Sequence, residues 1–318
     1  MEKRYTNFDG LRGIATLAVI FIHLTAPMQN AGDLTLGILN QISRFAVPVF
    51  LVLSGWGLDH QDALDNSKNY LDFLKKRLTK LVPYYLVWSL IYLALNGYMT
   101  SWNFTLAGTL QAFLLGQASY HLYFIPLIIG LYIIYPVLSA LASNTTTFYT
   151  ITIIYLIQLI TDHLWGYNPY DLAQDYLTYT YCFLFGIRLA QNFNYKQKQF
   201  HHYKTAIYFL VLISLLGLSA EYLLSQGTII GATRPFMIAY AISLVLLATI
   251  IIWPKTTILS YLSRYSYLIY LSHVFWIQLI DHIPMLNSLP FIIQLIIKLF
   301  LLWIGLSLTI LIDQTISE

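Results

Sequence analysis

DGLRGIATLAVIFIH, residues 9–23, decides the fold, because it is apolar enough to enter a membrane and yet carries an arginine and a histidine. Arg12 and His23 are eleven positions apart. At about 100° per residue, eleven steps end about 20° past three full turns, so in a helix both side chains leave the same face. His23 then lies about 16 Å further along the axis than Arg12, at about 1.5 Å per residue. Ionisable groups held inside apolar spans are costly and mark functional sites.

The composition places the chain in a membrane. It is 58% hydrophobic and 10% charged, with a mean hydropathy of +0.65, whereas a soluble domain carries about a quarter charged residues. Apolar runs of about 20 residues recur along the chain, which is the length that spans a bilayer as a helix. We therefore predict an all-α, polytopic transmembrane helix bundle. We predict a single membrane-embedded domain over residues 1–318.

Two further properties limit the kinds of site. The net charge of +3 gives no reason to expect a nucleic-acid partner. Cys182 is the one cysteine, which excludes an internal disulfide and a multi-cysteine metal site, and we predict no metal site.

Hydropathy predicts about ten spans. They cover residues 11–29, 41–58, 81–99, 121–141, 148–165, 174–190, 204–225, 234–253, 264–282 and 290–312. The stretch 104–116 is too short to span and is interpreted as interfacial or re-entrant. The basic start of the chain is typical of an uncleaved anchor rather than a signal peptide, because Pro27 interrupts the expected cleavage region.

Lysine and arginine predict that both termini face the cytoplasm, since basic residues favour the inner side of a membrane. With that orientation, 14 of the 17 basic residues flank the inner face. They are Lys3, Arg4, Arg12, Lys68, Lys75, Lys76, Arg77, Lys80, Arg188, Lys196, Lys198, Lys204, Lys255 and Arg264. Arg44 and Arg234 fall near the outer face, and Lys298 lies within the last span.

Other polar residues are predicted near the outer half of the helices. Arg44 and Gly55 are eleven positions apart and share a helical face, so Arg44, Pro48 and Gly55 are expected to line one groove. His121 begins the fourth span and His273 lies midway along the ninth. Glu221 and Arg234 flank an outer loop.

Each candidate also has a structural interpretation. His23 could be bonded to a neighbouring helix, and Arg12 could be an inner-face anchor that reaches the headgroups. The basic run at residues 75–80 could serve topology and anionic lipids alone. Arg44 could lie among headgroups, and His121 could simply begin a helix.

Six segments together resemble the acyltransferase 3 family of integral membrane acyltransferases, and the likeness covers nearly the whole chain. The segments, in order, are DGLRG with His23 (9–23), RFAVPVFLVLSG (44–55), Phe73 with Lys76-Arg77 and Pro83, HLYF (121–124), FLFGI (183–187) and YSYLIYLSH (265–273). Tyr123, Lys80 and Trp56 depart from the commoner residues of the family. Lys80 keeps a positive charge but loses the planar fork that binds phosphate through two contacts.

The resemblance implies transfer of a short acyl group, acetyl first and succinyl second, from acyl-CoA to a hydroxyl or amine. The implied acceptor is a glycan or lipid-linked molecule at a bacterial plasma membrane. No permanently bound cofactor is expected, and membrane lipids are the other implied partners. Some relatives carry an appended esterase-like domain that these 318 residues lack, so transfer is expected to be completed within the helices or by a partner protein. Acceptor identity and oligomeric state stay open.

The resemblance also assigns roles. Asp9, Arg12 and His23 are the catalytic candidates, with His23 as general base. Lys76, Arg77 and Lys80 are expected to bind the phosphates of the donor. The candidates for contact with substrate are Arg44, Ser54, His121, Tyr123 and His273.

A membrane transporter is the rival interpretation. Intramembrane His, Arg, Lys and Glu side chains suit a proton-coupled exporter of a small solute or glycan equally well. The absence of an internal repeat in the sequence and the resemblance over six segments favour the enzyme.

Overall fold

The structure, a computed structural model, describes residues 6–30, 34–60, 70–100, 105–165, 172–191, 193–227, 231–251 and 257–317. Every regular element in these ranges is a helix. In chain order they are α1 (Thr6–Asn30), α2 (Leu34–Ser43), α3 (Ala46–His60), α4 (Tyr70–Thr100), α5 (Leu106–Leu115), α6 (Phe124–Ile133), α7 (Tyr135–Ser143), α8 (Thr145–Trp165), α9 (Leu172–Ala190), α10 (Phe193–His202), α11 (Lys204–Leu224), α12 (Pro235–Ile250), α13 (Thr257–Arg264), α14 (Ser266–Asp281), α15 (Pro284–Asn287) and α16 (Phe291–Ser317). Of the basic residues used for orientation, Lys3, Arg4, Lys68 and Lys255 lie outside the described residues.

The prediction of an all-α, polytopic membrane protein is confirmed. Five described segments are long and apolar enough to cross a bilayer: Asn7–Pro27, Leu34–His60, Tyr70–Gly97, Lys204–Leu224 and Phe291–Ile316. A sixth candidate is α6 with α7, which are bent by 64° where they meet. The count of ten spans and the inward-facing termini stay predictions.

The helix boundaries differ from the predicted spans in three places. α4 begins eleven residues before the predicted start at 81, so the basic run at 75–80 is helical. The predicted span 264–282 corresponds to α14, and a break at Tyr265 separates it from α13, which ends where the span begins. α10 is a polar helix where a loop was predicted.

The helices form two compact units. The first comprises Met1–Asn66 and Tyr135–Arg264, and the second Ser67–Ile134 and Tyr265–Glu318. Arg12 and His23 belong to the first unit, and the basic run of α4 to the second. The prediction of one domain over the whole chain stays a prediction.

In the first unit, α3 and α9 approach each other through glycines. A Cβ built at Gly55 would lie 2.1 Å from the carbonyl oxygen of Phe183, and one at Gly186 would lie 2.0 Å from that of Val52. Small residues allow this approach between membrane helices. Gly55 therefore contacts α9, and the groove that it was expected to line with Arg44 stays a prediction.

α1 is held in the first unit by α13 and α2. At Gly13, an added Cβ would lie 2.6 Å from the carbonyl oxygen of Leu259 on α13. On the other side, Gly37 of α2 leaves room for the Tyr222 ring of α11, which an added Cβ would overlap. The polar face of α1 is thereby fixed relative to its neighbours.

The second unit has an aromatic core formed by α4, α5, α6 and α14. Its buried members include Trp88, Tyr92 and Leu122, with Phe275 packed against them. α5 ends at Gly116, whose φ of 71° is the left-handed conformation that favours glycine at a helix end. The turn that follows carries His121 into this core.

Candidate active site

α1 presents Arg12 and His23 on one face. The helix runs without interruption from Thr6 past His23, so the eleven-residue spacing has the helical meaning that the sequence predicted. Both side chains are half-buried and both make polar or ring interactions. The Thr16 hydroxyl donates to the Arg12 carbonyl at 2.9 Å, as hydroxyls inside helices do.

Asn40 on α2 binds α1 on both sides of His23. Its amide nitrogen donates to the Ile22 carbonyl at 2.7 Å and to the Thr25 hydroxyl at 2.8 Å. Asn40 is fully buried, and a buried amide in an apolar helix is costly unless it is bonded. The sequence interpretation missed this residue, although an asparagine inside an apolar stretch was a readable signal.

Asp9 connects α1 to α13. Its carboxylate accepts a hydrogen bond from the Ser263 hydroxyl at 3.2 Å. The carboxylate is half-buried, one helical turn before Arg12. This contact positions the start of α1, while a catalytic role for Asp9 stays a prediction.

Arg44 and Ser54 also belong to the first unit. Arg44 lies in the turn between α2 and α3, where its backbone N–H donates to the Gln41 carbonyl at 3.1 Å. Both side chains are half-buried, and that of Arg44 is engaged in polar or ring interactions. The turn therefore fixes a guanidinium at the point where the chain enters α3.

The predicted phosphate-binding residues lie on α4 in the second unit. Lys76 and Lys80 are exposed and Arg77 is half-buried. Because residues three and four apart are neighbours on a helix surface, these three charges form one basic patch. The site residues are thus divided between the units, with Asp9, Arg12, His23, Arg44 and Ser54 in the first and Lys76, Arg77, Lys80, His121, Tyr123 and His273 in the second.

The second unit brings His121 and His273 together. Their ring centroids are 5.1 Å apart and the rings meet edge to face. Both are buried, with 4% and 0% of the residue exposed. The sequence named both histidines but gave no reason to pair them.

Hydrogen bonding orients these rings. Nδ1 of His273 lies 2.7 Å from the Tyr270 carbonyl and 3.1 Å from the Ile269 carbonyl. Since carbonyl oxygens only accept, Nδ1 carries a proton, and in the neutral ring Nε2 holds the lone pair. Nδ1 of His121 bonds the Ser119 hydroxyl at 3.1 Å.

Tyr92 inserts its hydroxyl into α14 beside His273. The hydroxyl donates to the Leu271 carbonyl at 2.8 Å and accepts from the Phe275 N–H at 2.9 Å. These two backbone groups are four residues apart and are partners in a regular α-helix. A side chain placed between them locally opens the helix. Sequence analysis did not select Tyr92, because its role depends on a contact with a distant segment.

Tyr270 and Tyr123 complete the turn that carries His121. The Tyr270 hydroxyl donates to the His121 carbonyl, and its ring packs 5.5 Å from the imidazole. Tyr123 is half-buried at the start of α6. Its backbone approaches Gly116, where an added Cβ would lie 2.6 Å from the Tyr123 Cα.

Within the described ranges, no group of three or more His, Cys, Asp or Glu side chains is placed to hold a metal ion.

Comparison with known proteins gives one match over nearly the full length. The acyltransferase 3 family, described as "Acyltransferase domain", matches residues 5–313. A serine/alanine racemase from Enterococcus gallinarum is 30% identical over 235 residues. That match covers 68% of this chain and 32% of the racemase, so the chain spans about a third of the length of this curated relative. No solved structure matches the chain.

Proposed function

The chain belongs to the acyltransferase 3 family, and on that premise we propose that it transfers a short acyl group from acyl-CoA to a surface glycan or lipid-linked acceptor. Acetyl is the favoured group and succinyl the second choice. The observation that carries the proposal is the match over residues 5–313, which includes the helix that holds Arg12 and His23 on one face. We place the enzyme in a bacterial plasma membrane.

His23 is the general base of this proposal. The acceptor hydroxyl attacks the thioester carbonyl, its proton passes to the imidazole, the C–S bond breaks and the coenzyme A thiolate leaves with that proton. A base must be neutral to accept a proton, so this role requires the neutral imidazole of His23. General-base assistance is worth about 10²–10⁴ in rate.

The remaining residues of the first unit support this step. Arg12 shares the face of His23 but lies about three turns away, so it orients polar groups of the substrate along that face rather than touching the same atom. The Arg44 guanidinium or the Ser54 hydroxyl stabilises the negative charge on the carbonyl oxygen as it becomes tetrahedral. Asn40 fixes the backbone around His23 and is a positioning residue.

Further residues are proposed to contact donor and acceptor. Lys76, Arg77 and Lys80 bind the phosphates of acyl-CoA through charge-assisted hydrogen bonds. The exposure of Lys76 and Lys80 on α4, with Arg77 half-buried beside them, supports this role. His121, Tyr123 and His273 are proposed substrate contacts.

Donor-dependent labelling tests the proposal. Membrane vesicles that contain the protein are incubated with radiolabelled acetyl-CoA, and the glycans and lipids of cells with and without the gene are compared by mass spectrometry. Label and a mass difference that depend on the protein support acyl transfer and reveal the acceptor. Uptake of a solute by vesicles without any acyl donor, with no labelled product, would support the transporter instead.

Arg77→Ala separates donor binding from topology. The substitution is expected to raise the apparent KM for the donor several-fold while leaving kcat nearly unchanged. Lys204→Ala, an exposed lysine at the start of α11 and outside the basic run of α4, is the matched control. An unchanged KM in Arg77→Ala would indicate that Arg77 serves membrane topology and contact with anionic lipids rather than donor binding.

A further inference from the structure

A buried ion pair lies where α11 ends and α12 begins. Arg234 donates through Nε to Oε1 of Glu221 at 2.8 Å, and its Nη2 contacts the same oxygen. The side chains of Arg234 and Glu221 are 3% and 8% exposed. A charge pair buried this deeply is costly to form and needs further bonds to be stable.

His163, from the end of α8, lies at the rim of this pair. Its Nδ1 is 3.1 Å from Nη2 of Arg234 and 3.3 Å from Oε1 of Glu221. One ring nitrogen cannot both accept from the guanidinium and donate to the carboxylate, so the imidazole serves one partner at a time. The His163 side chain is 35% exposed, which places this cluster next to the surface.

The second carboxylate oxygen of Glu221, Oε2, differs from the first in its hydrogen bonding. Oε2 is buried and accepts no hydrogen bond from the part of the chain that the structure describes. A buried carboxylate oxygen without a donor loses its hydration and gains no hydrogen bond in return, which is unfavourable. A ligand that donates a hydrogen bond to Oε2 would recover this energy.

The surrounding charges select the kind of ligand. Thr233, which precedes Arg234 in the chain, is buried and its hydroxyl donates to the Asp175 carboxylate at 2.8 Å. A second carboxylate therefore lies beside the residue that precedes Arg234. Two carboxylates against one guanidinium disfavour an anion such as a phosphate. The guanidinium disfavours a cation beside Oε1. An uncharged ligand with several hydroxyl groups fits best.

We propose that Glu221, Arg234 and His163 form the binding site for a neutral sugar hydroxyl of the acyl acceptor. This inference rests on the proposed acyltransferase function and narrows the acceptor to an uncharged glycan unit rather than a phosphorylated one. Glu221 accepts the hydrogen bond through Oε2, and Arg234 is a positioning residue that holds the carboxylate through Oε1. The helix ends that meet here are those that the predicted topology places outside, where a surface glycan would arrive.

Binding without any acyl donor tests the site. The full chain is placed in lipid nanodiscs, which avoid glycoside detergents, and titrated with methyl glycosides of glucose, galactose and N-acetylglucosamine at millimolar concentration by saturation-transfer NMR. We expect binding of at least one glycoside, and at least tenfold weaker binding of glucose 6-phosphate. Glu221→Gln should raise Kd about tenfold or more, equal to about 1.4 kcal/mol.

Asp281→Asn is the matched control, because it removes a carboxylate that pairs with Lys298 in the second unit and should leave Kd unchanged. If Glu221→Gln fails to fold, the pair Glu221→Gln with Arg234→Gln avoids a buried unpaired guanidinium and should show the same loss. The inference is overturned if none of the three glycosides binds, if the phosphate binds equally well, or if the folded variant binds like the wild type. None of these outcomes affects the donor-dependent labelling, which tests the proposed function separately.

Discussion

His23 and His273 are both imidazoles inside apolar helices, but they differ in burial and in hydrogen bonding. His273 is fully buried, and two carbonyls fix the position of its proton. His23 is half-buried between Ile22, whose carbonyl binds Asn40, and Thr25, whose hydroxyl binds the same amide. A base must be reached by its substrate, so partial exposure suits His23 to catalysis. His273 is the less accessible of the two rings, and its contact with substrate stays a prediction.

Tyr92→Phe tests the hydrogen bonds beside His273. Removing the hydroxyl leaves the ring in place but takes one partner each from the Leu271 carbonyl and the Phe275 N–H. We expect unfolding to become easier by about 1–3 kcal/mol, measured by thermal or denaturant unfolding in detergent. Tyr208→Phe, at an exposed position of α11, is the control and should change little. Equal stability of Tyr92→Phe and the wild type would show that the inserted hydroxyl is dispensable.

Single residues could be predicted from the sequence only where the relation was local. The shared face of Arg12 and His23 follows from helical periodicity alone and holds in the structure. The pairing of His121 with His273, and of Glu221 with Arg234 and His163, depends on the packing of segments far apart in the chain. Periodicity carries no information on such contacts.

At the scale of elements, glycine sets the distance between α3 and α9. Gly186→Ala would bring a methyl group against the Val52 carbonyl, a rigid backbone atom. We expect a loss of about 1–3 kcal/mol, as for other overpacked contacts, seen as a lower Tm. Gly57→Ala, on α3, is the control. Its added methyl group would meet no atom within 4 Å, so the substitution should be neutral or slightly stabilising. A similar Tm for Gly186→Ala and Gly57→Ala would contradict the close approach.

α10 contains Lys196, whose pKa is lowered by its surroundings. Burial, and then the positive charge of Arg188, lower the pKa of Lys196 to about 8, while the Asp59 carboxylate acts in the opposite direction. Between pH 8 and the ordinary pKa of 10.5, the unfolded chain therefore binds more protons than the folded one. The contribution of Lys196 to the free energy of unfolding therefore rises between pH 8 and pH 10.5.

Lys196→Gln removes this titration. The Tm of the wild type should rise relative to that of the variant as the pH increases from about 8 to about 10. Lys198→Gln, exposed on the same helix, should run parallel to the wild type. A constant difference in Tm between the wild type and Lys196→Gln over this range would show that Lys196 has the same pKa in the folded and the unfolded chain.

Bends were harder to predict than helices. The predicted span 121–141 is interrupted at Ile134 between α6 and α7, next to Pro136. Proline removes a backbone donor and crowds the preceding turn, which accounts for a break there. Pro27 and Pro83 nevertheless lie inside continuous helices. A proline therefore permits a bend, and tertiary packing decides whether one forms.

At the scale of the whole molecule, the predicted orientation is open to direct measurement. Cys182 is buried, so replacing it with alanine gives a background without reactive thiols. In that background, Gln226→Cys should react with a membrane-impermeant maleimide in intact cells, whereas Lys198→Cys should react only after lysis. The reverse pattern would contradict the inward-facing termini.

The central claim is that His23 removes the proton from the acyl acceptor, and one measurement tests it most directly. Transfer from radiolabelled acetyl-CoA is compared between vesicles with the wild type and with His23→Ala at equal amounts of membrane-inserted protein. His202→Ala, at an exposed position of α10, is the control. We expect His23→Ala to lower the rate about 10²–10⁴-fold and His202→Ala to leave it unchanged. Transfer by His23→Ala at a rate near that of the wild type would contradict the account.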